Sequence, residues 1–209
     1  MQRGEQLQNY PQLQSHMPDN TWKNYQDKTM GRPPKPLLVR AMKLVANKDN
    51  ALDLGSGAMN DVRYLLAEGF QHVTAVDSTP ASEDLLKGIP TEKFSYAISS
   101  FEDFTFPENE YDLVNAQFSL PFNRPETFKL VLKRISDSLN KDAIFTGQFF
   151  GVHDEWNVPE RKMTFHTLEQ AKEQLSGFEV LEFQEKENDG PTALGKMKHW
   201  HVFHFIVRK

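Results

Sequence analysis

Residues 51–77, ALDLGSGAMNDVRYLLAEGFQHVTAVD, decide the fold. Ala51 to Leu54 is a short apolar run that stops at Gly55-Ser56-Gly57, and two glycines at such a corner let the backbone turn sharply. NDVRYLLAEGF then sets apolar residues at helical spacing, with Gly69 just beyond its end, where a left-handed residue closes a helix. HVTAVD follows as a β-branched run ending in Asp77. Strand, turn, helix and strand make one βαβ unit, which predicts two parallel neighbouring strands.

The same alternation continues toward the C-terminus. TPASEDLLKGI (79–89) reads as a helix, FSYAIS (94–99) and YDLVNAQFS (111–119) as strands, and RPETFKLVLKRISDSL (124–139) as a helix with Phe128, Val131, Leu132, Ile135 and Leu139 on one face. DAIFTGQFFG (142–151) is a fifth strand and TLEQAKEQLSGF (167–178) a further helix. FEVLEFQEKEN (178–188) and HWHVFHFIVRK (199–209) have no helix between them, so they predict an antiparallel hairpin. The expected fold is α/β: a Rossmann-like, doubly wound sheet of about seven strands, mostly parallel, closed by that hairpin, with ligands in the crevice at the strands' carboxyl ends.

Toward the N-terminus, Leu37, Leu38, Ala41, Leu44 and Val45 recur at helical spacing, with Pro36 at a first-turn position where its missing N–H costs nothing. Before them, TWKNYQDKTMGRPPKP (21–36) carries two aromatics, a glycine and three prolines, and is expected to be an ordered arm or lid without regular helix until the chain passes Pro36. Residues 1 to about 20 are Gln/Asn-rich with little apolar periodicity and are expected to form a mobile tail. The division is thus 1–36, tail and arm, and 37–209, one binding domain without internal repeat or linker.

Composition narrows the function. The 209 residues suit one sizeable core. No apolar run approaches the roughly 20 residues that cross a bilayer, and the start lacks a secretory signal's apolar centre, so a cytoplasmic protein with no membrane partner is expected. Zero cysteines exclude disulfides, a thiolate nucleophile and Cys-based zinc sites. A net charge of -5 argues against capture of nucleic acid, which needs a surplus of Lys and Arg.

The turn Asp53-Leu54-Gly55-Ser56-Gly57 would let a ligand approach bare backbone at a helix start. Asp77 ends the neighbouring strand, about where an acid reaches a ribose diol. Together they indicate adenosine. Dinucleotide enzymes use the same geometry, usually as G-x-G-x-x-G, so that pyrophosphate rests on the helix start. Here Met59, Asn60 and Asp61 crowd that start, and Asp61 would repel pyrophosphate but welcome an ammonium, which favours S-adenosylmethionine. No G-x-x-x-x-G-K-[ST] phosphate loop occurs.

With those residues in view, residues 37–209 resemble the class I S-adenosylmethionine-dependent methyltransferases. DLGSGAMNDVRYLLAEGF looks like that superfamily's first motif, with Met59 where a third glycine is usual, and VTAVDS like its second. SSFEDFTFPENEYDLVNAQFSLPF looks like the adenine-binding turn and fourth strand. GRPPKPLLVRAM, GQFFGVHDEWN and KMKHWHVFHFIVRK are similar to small bacterial enzymes of the tellurite-resistance and thiopurine type.

The resemblance implies that Asp53, Gly55, Ser56 and Gly57 frame the cofactor's methionine end, that Asp77 holds the ribose and that Ser78 lies beside the adenine. It also implies that Ser100, Phe101 and Glu102 meet the adenine amino group and ring. Asn115 to Phe118 would close the fourth strand beneath the sulfonium, with Gln117 and Phe118 facing the acceptor.

Candidates for acceptor contact are Tyr25 and Arg32 on the arm, His153 and Trp156 after the fifth strand, and Lys198, His199 and Trp200 at the final hairpin. His153 is also the candidate acid/base group. His199, His201 and His204 invite a zinc reading, but on a strand 199 and 201 share a face while 204 points the other way, so no metal is expected. The expected partner is a small-molecule acceptor and the expected assembly a monomer or homodimer. Two other readings stand beside the enzyme: a non-catalytic cofactor- or partner-binding module, and a nicotinamide-dependent oxidoreductase.

Overall fold

A computed structural model describes residues 20–209; the tail expected for residues 1 to about 20 lies almost wholly outside them. In chain order the elements are α1 (Asn20–Thr29), α2 (Pro36–Met42), β1 (Asn50–Leu54), α3 (Asn60–Ala67), β2 (His72–Asp77), α4 (Glu83–Leu86), β3 (Phe94–Ile98) and β4 (Tyr111–Ala116). There follow α5 (Pro125–Ser138), β5 (Leu139–Gly151), β6 (Phe165–His166), α6 (Leu168–Gln174), β7 (Glu179–Pro191) and β8 (Met197–Arg208).

One sheet runs in the order β3-β2-β1-β4-β5-β8-β7, with β6 beside β5. β1 pairs in parallel with β2, Asp53 opposite Ala75, and with β4, Asp53 opposite Asn115. β8 enters antiparallel to β5 and to β7, the hairpin anticipated from the missing helix. Strand order reverses between β1 and β4, which opens the crevice at their carboxyl ends.

Apolar side chains cover both faces. On one, α5 buries Phe128, Val131 and Ile135 against Phe145, Phe149, Phe203 and Phe205. On the other, α2 and α3 bury Leu37, Leu38, Ala41, Val62 and Leu65 against β1, β2 and β4. Each fully buried Leu, Val or Phe contributes about 1.5–3 kcal/mol, which anchors the strands whose tips form the site.

The arm departs from expectation. α1 is a regular helix ahead of Gly31, because the prolines begin only at Pro33 and residues 20–29 carry nothing that breaks helical hydrogen bonds. Trp22, Tyr25, Gln26 and Thr29, at helical spacing, form its inner side. α2 starts at Pro36 but ends at Met42, leaving Leu44 40% exposed beyond it. The helix expected over 79–89 shrinks to the single turn of α4, since Pro80 and Gly88 bracket it. β6 is an eighth strand of two residues, too short to give a periodic signal.

Candidate cofactor and acceptor site

The turn after β1 has the conformation its glycines permit. Gly55 and Gly57 sit at φ 79° and 48°, and a Cβ on Gly55 would fall 2.4 Å from that of Ser119. Met59, at the third-glycine position, takes φ 60° despite its side chain and is fully buried. The left-handed bend survives there at some strain, offset by the packing of that side chain. Gly57 N–H donates to Asp77 Oδ2 at 2.8 Å, and Thr79 N–H donates to Asp77 Oδ1 at 2.8 Å, so Asp77 ties the tip of β2 to the turn.

Three carboxylates meet around this corner. Asp53 is 2% exposed; Oδ1 accepts from Asn115 Nδ2 at 2.7 Å and Oδ2 has no partner. Asp61 accepts from the backbone N–H of Lys35 at 3.1 Å and from Asn115 Nδ2 at 3.4 Å. Burial, and then the neighbouring Asp61 charge, push the Asp53 carboxyl well above the usual range; burial raises Asp61 and Asp77 too. A buried corner of three carboxyl groups, with an orphaned oxygen on Asp53 and the equally unpartnered Ser56 Oγ among the described residues, fits a ligand with an ammonium and a carboxylate.

From Asp53 a ladder of amides crosses the sheet. Gln117 Nε2 donates to Asn115 Oδ1 and Gln148 Nε2 to Gln117 Oε1, each at 2.8 Å. Gln148 Oε1 then accepts the N–H of Phe118 at 2.7 Å, holding that residue at φ 57°. Beyond Phe118 lies an aromatic wall: Phe118 meets Phe150 and Trp200, and Trp156 meets Phe122, Phe150 and Trp200. Lys198, fully buried, pairs with Asp154 and sits 3.8 and 3.9 Å from the centroids of Trp156 and Trp200, so its charge is spent inside the wall.

The arm covers both halves. Tyr25 lies over the turn, its ring 3.5 Å from where a Gly57 Cβ would be, and Trp22 packs edge-on against Phe122 at 4.9 Å. Asn60 pins the arm, donating to Thr29 O at 2.8 Å and accepting from Gly31 N–H at 3.0 Å. Arg32 donates to Ala193 O at 3.1 Å, which joins the arm to the β7–β8 turn.

Residues 52–146, the segment that builds this corner, match the family described as methyltransferase domain. Over that segment, which is less than half of the chain, the sequence is similar to methyltransferases. Among solved structures, the chain is similar to Burkholderia thailandensis 1,6-didemethyltoxoflavin-N1-methyltransferase with bound 1,6-didemethyltoxoflavin and S-adenosylhomocysteine, at 20% identity and a TM-score of 0.62 over 83% of this chain and 78% of that one. It is also similar to TehB from Haemophilus influenzae, at 19% identity and 0.66 over 82% of this chain and 61% of that one. A third likeness is a Methanosarcina mazei S-adenosylmethionine-dependent methyltransferase, at 17% identity and 0.62 over 85% and 99%. Among curated proteins, nothing matches the chain.

The fold brings Asp53, Gly55, Ser56, Gly57, Asp77 and Asn115 to one corner, with Ser78 exposed at its rim and the Phe101 ring 3.7 Å from a Cβ on Gly55. Ser100 instead hydrogen-bonds Asp103 at 2.8 Å. Glu102 turns to α5: its carboxylate accepts from Thr127 and its carbonyl from Arg134. Phe118 and Trp156 lie in the aromatic wall, and Gln117 in the amide ladder that leads to it. His153 and His199 do not join them, because side chains alternate along β8: Lys198 and Trp200 face the aromatic wall, whereas His199 and His201 face the other way, where His153 stacks on His201. Gln148, Lys35 and the Lys198–Asp154 pair were not singled out as a set by sequence. A lone Gln in an apolar strand was the available signal for the first.

Proposed function

We propose that this chain transfers a methyl group from S-adenosylmethionine to a small, largely apolar acceptor seated against Phe118, Trp156 and Trp200. The carrying observation is the amide ladder, which links the buried carboxylates, where an ammonium is welcome, to the turn that sets Phe118 in the wall. When bound, the cofactor supplies an electrophilic methyl on a sulfonium. Asp53, Asp61 and Ser56 would hold its amino-acid end and Asp77 its ribose, while Asn115 and Gln117 fix the floor between the two ligands. Methyl transfer needs alignment and exclusion of water more than proton transfer, and the aromatic wall under α1 supplies both.

Residues 20–36 act in this reading as a lid, because the Tyr25 ring packs over the Gly57 turn. The net charge of -5 favours a small acceptor over nucleic acid. The Burkholderia neighbour, with bound 1,6-didemethyltoxoflavin, is an instance of such an acceptor on this fold. The test is a panel of small acceptors scored by release of S-adenosylhomocysteine. Turnover on a panel member that Trp156→Ala abolishes supports the reading; cofactor binding without turnover on any acceptor favours the non-catalytic module.

A further inference from the structure

The histidines that sequence spacing sets aside as metal ligands gain partners from the fold. β8 turns His199 and His201 to the face opposite the aromatic wall, the loop after β5 brings His153 against His201 with the rings stacked at 4.8 Å, and β7 supplies Glu185, Glu187 and Asp189. We propose that His153 Nδ1, His201 Nε2 and Glu187 Oε2 form a binding site for one divalent transition-metal ion of the zinc class.

Three observations carry this. The donor atoms converge: Glu187 Oε2 lies 3.1 Å from His153 Nδ1 and 4.0 Å from His201 Nε2, and all three donors lie within 4.8 Å of one another. Metal bonds of about 2.0–2.2 Å place neighbouring ligands a little over 3 Å apart, so a small closure of the His201 side completes the set. The donors come from the loop after β5 and from the two paired strands of the β7–β8 hairpin, where Glu187 lies opposite His201, so the site exists only in the folded chain. Access is also suitable, since the His153 and Glu187 side chains are 64% and 41% exposed, whereas His201 is 3% exposed and fixed from behind.

Two imidazoles and one carboxylate select zinc-like ions over magnesium or calcium, which take all-oxygen sets. His199 stands as an outer partner: its Nε2 meets Glu187 Oε1 at 3.1 Å and its Nδ1 meets Asp189 at 2.7 Å.

Metal binding has a defined cost. His201 Nδ1 accepts the His153 N–H at 3.2 Å, so in the metal-free chain its proton sits on Nε2, facing Glu185 at 2.8 Å. Loading frees Nε2, moves its proton to Nδ1, and gives up two hydrogen bonds, the one from the His153 N–H and the one to Glu185. In return the ion ties the loop that carries Asp154 and Trp156 to the β7–β8 ribbon. The site thereby stiffens one side of the acceptor wall from the opposite face of the sheet.

The test uses the tag-free full chain, stripped with a chelator and dialysed against Zn²⁺ or, separately, Mg²⁺, with bound metal counted and thermal midpoints recorded. The expected result is a single Zn²⁺ per chain with a raised midpoint and no bound Mg²⁺. Glu187→Gln and His153→Ala should fold as the parent does and weaken Zn²⁺ binding by more than about tenfold. His72→Gln, whose imidazole meets Ser95 and lies outside the cluster, should bind as the parent does. Failure of the parent chain to retain Zn²⁺, or equal retention in Glu187→Gln and His153→Ala, overturns the proposal.

Discussion

Replacing Asp53 with asparagine should move stability and cofactor affinity in opposite directions. The carboxylate is buried, with one oxygen on Asn115 at 2.7 Å and the other unpartnered. Burial and then Asp61 raise its pKa. A group whose pKa is higher in the folded chain adds stability that is full below its ordinary carboxylate pKa and is lost as pH rises through the folded value. At neutral pH the ligand-free protein therefore carries a carboxyl that burial resists ionising. A cationic ligand reverses this. At about 4 Å and an effective dielectric near 20, an ammonium contributes about 4 kcal/mol, or about three pKa units. Binding of S-adenosylhomocysteine should therefore ionise Asp53 and release a proton. Asp53→Asn keeps the acceptor for Asn115, removes the costly charge and leaves ligand-free stability at pH 7 equal or higher. Its affinity should fall by about 1.5–3 kcal/mol, roughly 10- to 150-fold. Thermal unfolding without ligand, and calorimetry of S-adenosylhomocysteine in buffers of different ionisation enthalpy, read the two effects. Wild-type affinity in the variant, or binding heats that do not depend on buffer, would refute the reasoning.

Other expectations follow from the same geometry. Gly55→Ala combines a left-handed φ of 79° with a Cβ 2.4 Å from Ser119, and should cost about 2–5 kcal/mol in urea unfolding, while Gly177→Ala, with no atom within 4 Å of its added Cβ, should change stability by less than about 1 kcal/mol. Asp77→Ala strips the acceptor from the Gly57 and Thr79 amides and should weaken S-adenosylhomocysteine by about 1–3 kcal/mol in calorimetry. His166 lies between Phe128 and Phe149 with Nδ1 unpartnered, and burial pushes its pKa down to about 4. A lowered histidine pKa means that the unfolded chain gains the proton first, so stability falls as pH drops from about 6.5 toward 4. Comparing urea midpoints at pH 7 and 5, His166→Phe should lose up to about 2 kcal/mol less than wild type.

The grouping of Asp53, the glycine turn and Asp77 was legible because its geometry is local. Asp53, the glycine turn and Asp77 fall within one βαβ unit, whose parallel register aligns the strand tips whatever the rest of the chain does. α1 was not legible, because the prolines at 33, 34 and 36 dominate its neighbourhood although they begin after it ends. His153 and His199 misled for a different reason. Their sequence neighbours Asp154, Trp156 and Trp200 do belong to the aromatic wall and its Lys198 pair, but strand alternation sends adjacent residues to opposite faces, and a loop residue's direction is set by what it packs on. The same cause hid the grouping of His153, Glu187 and His201, whose members lie on three segments. Glu102 could be placed near its turn but not aimed, since its partner Thr127 is 25 residues away. Gln148 gained its meaning only when β5 was seen to lie against the end of β4.

The central claim is tested most directly by titrating the wild-type chain with S-adenosylhomocysteine and, in a parallel experiment, with NAD⁺. A carboxylate-lined corner beneath a glycine turn predicts saturable one-to-one binding of the first and none of the second. Saturable NAD⁺ binding, with no heat from S-adenosylhomocysteine, would contradict the account.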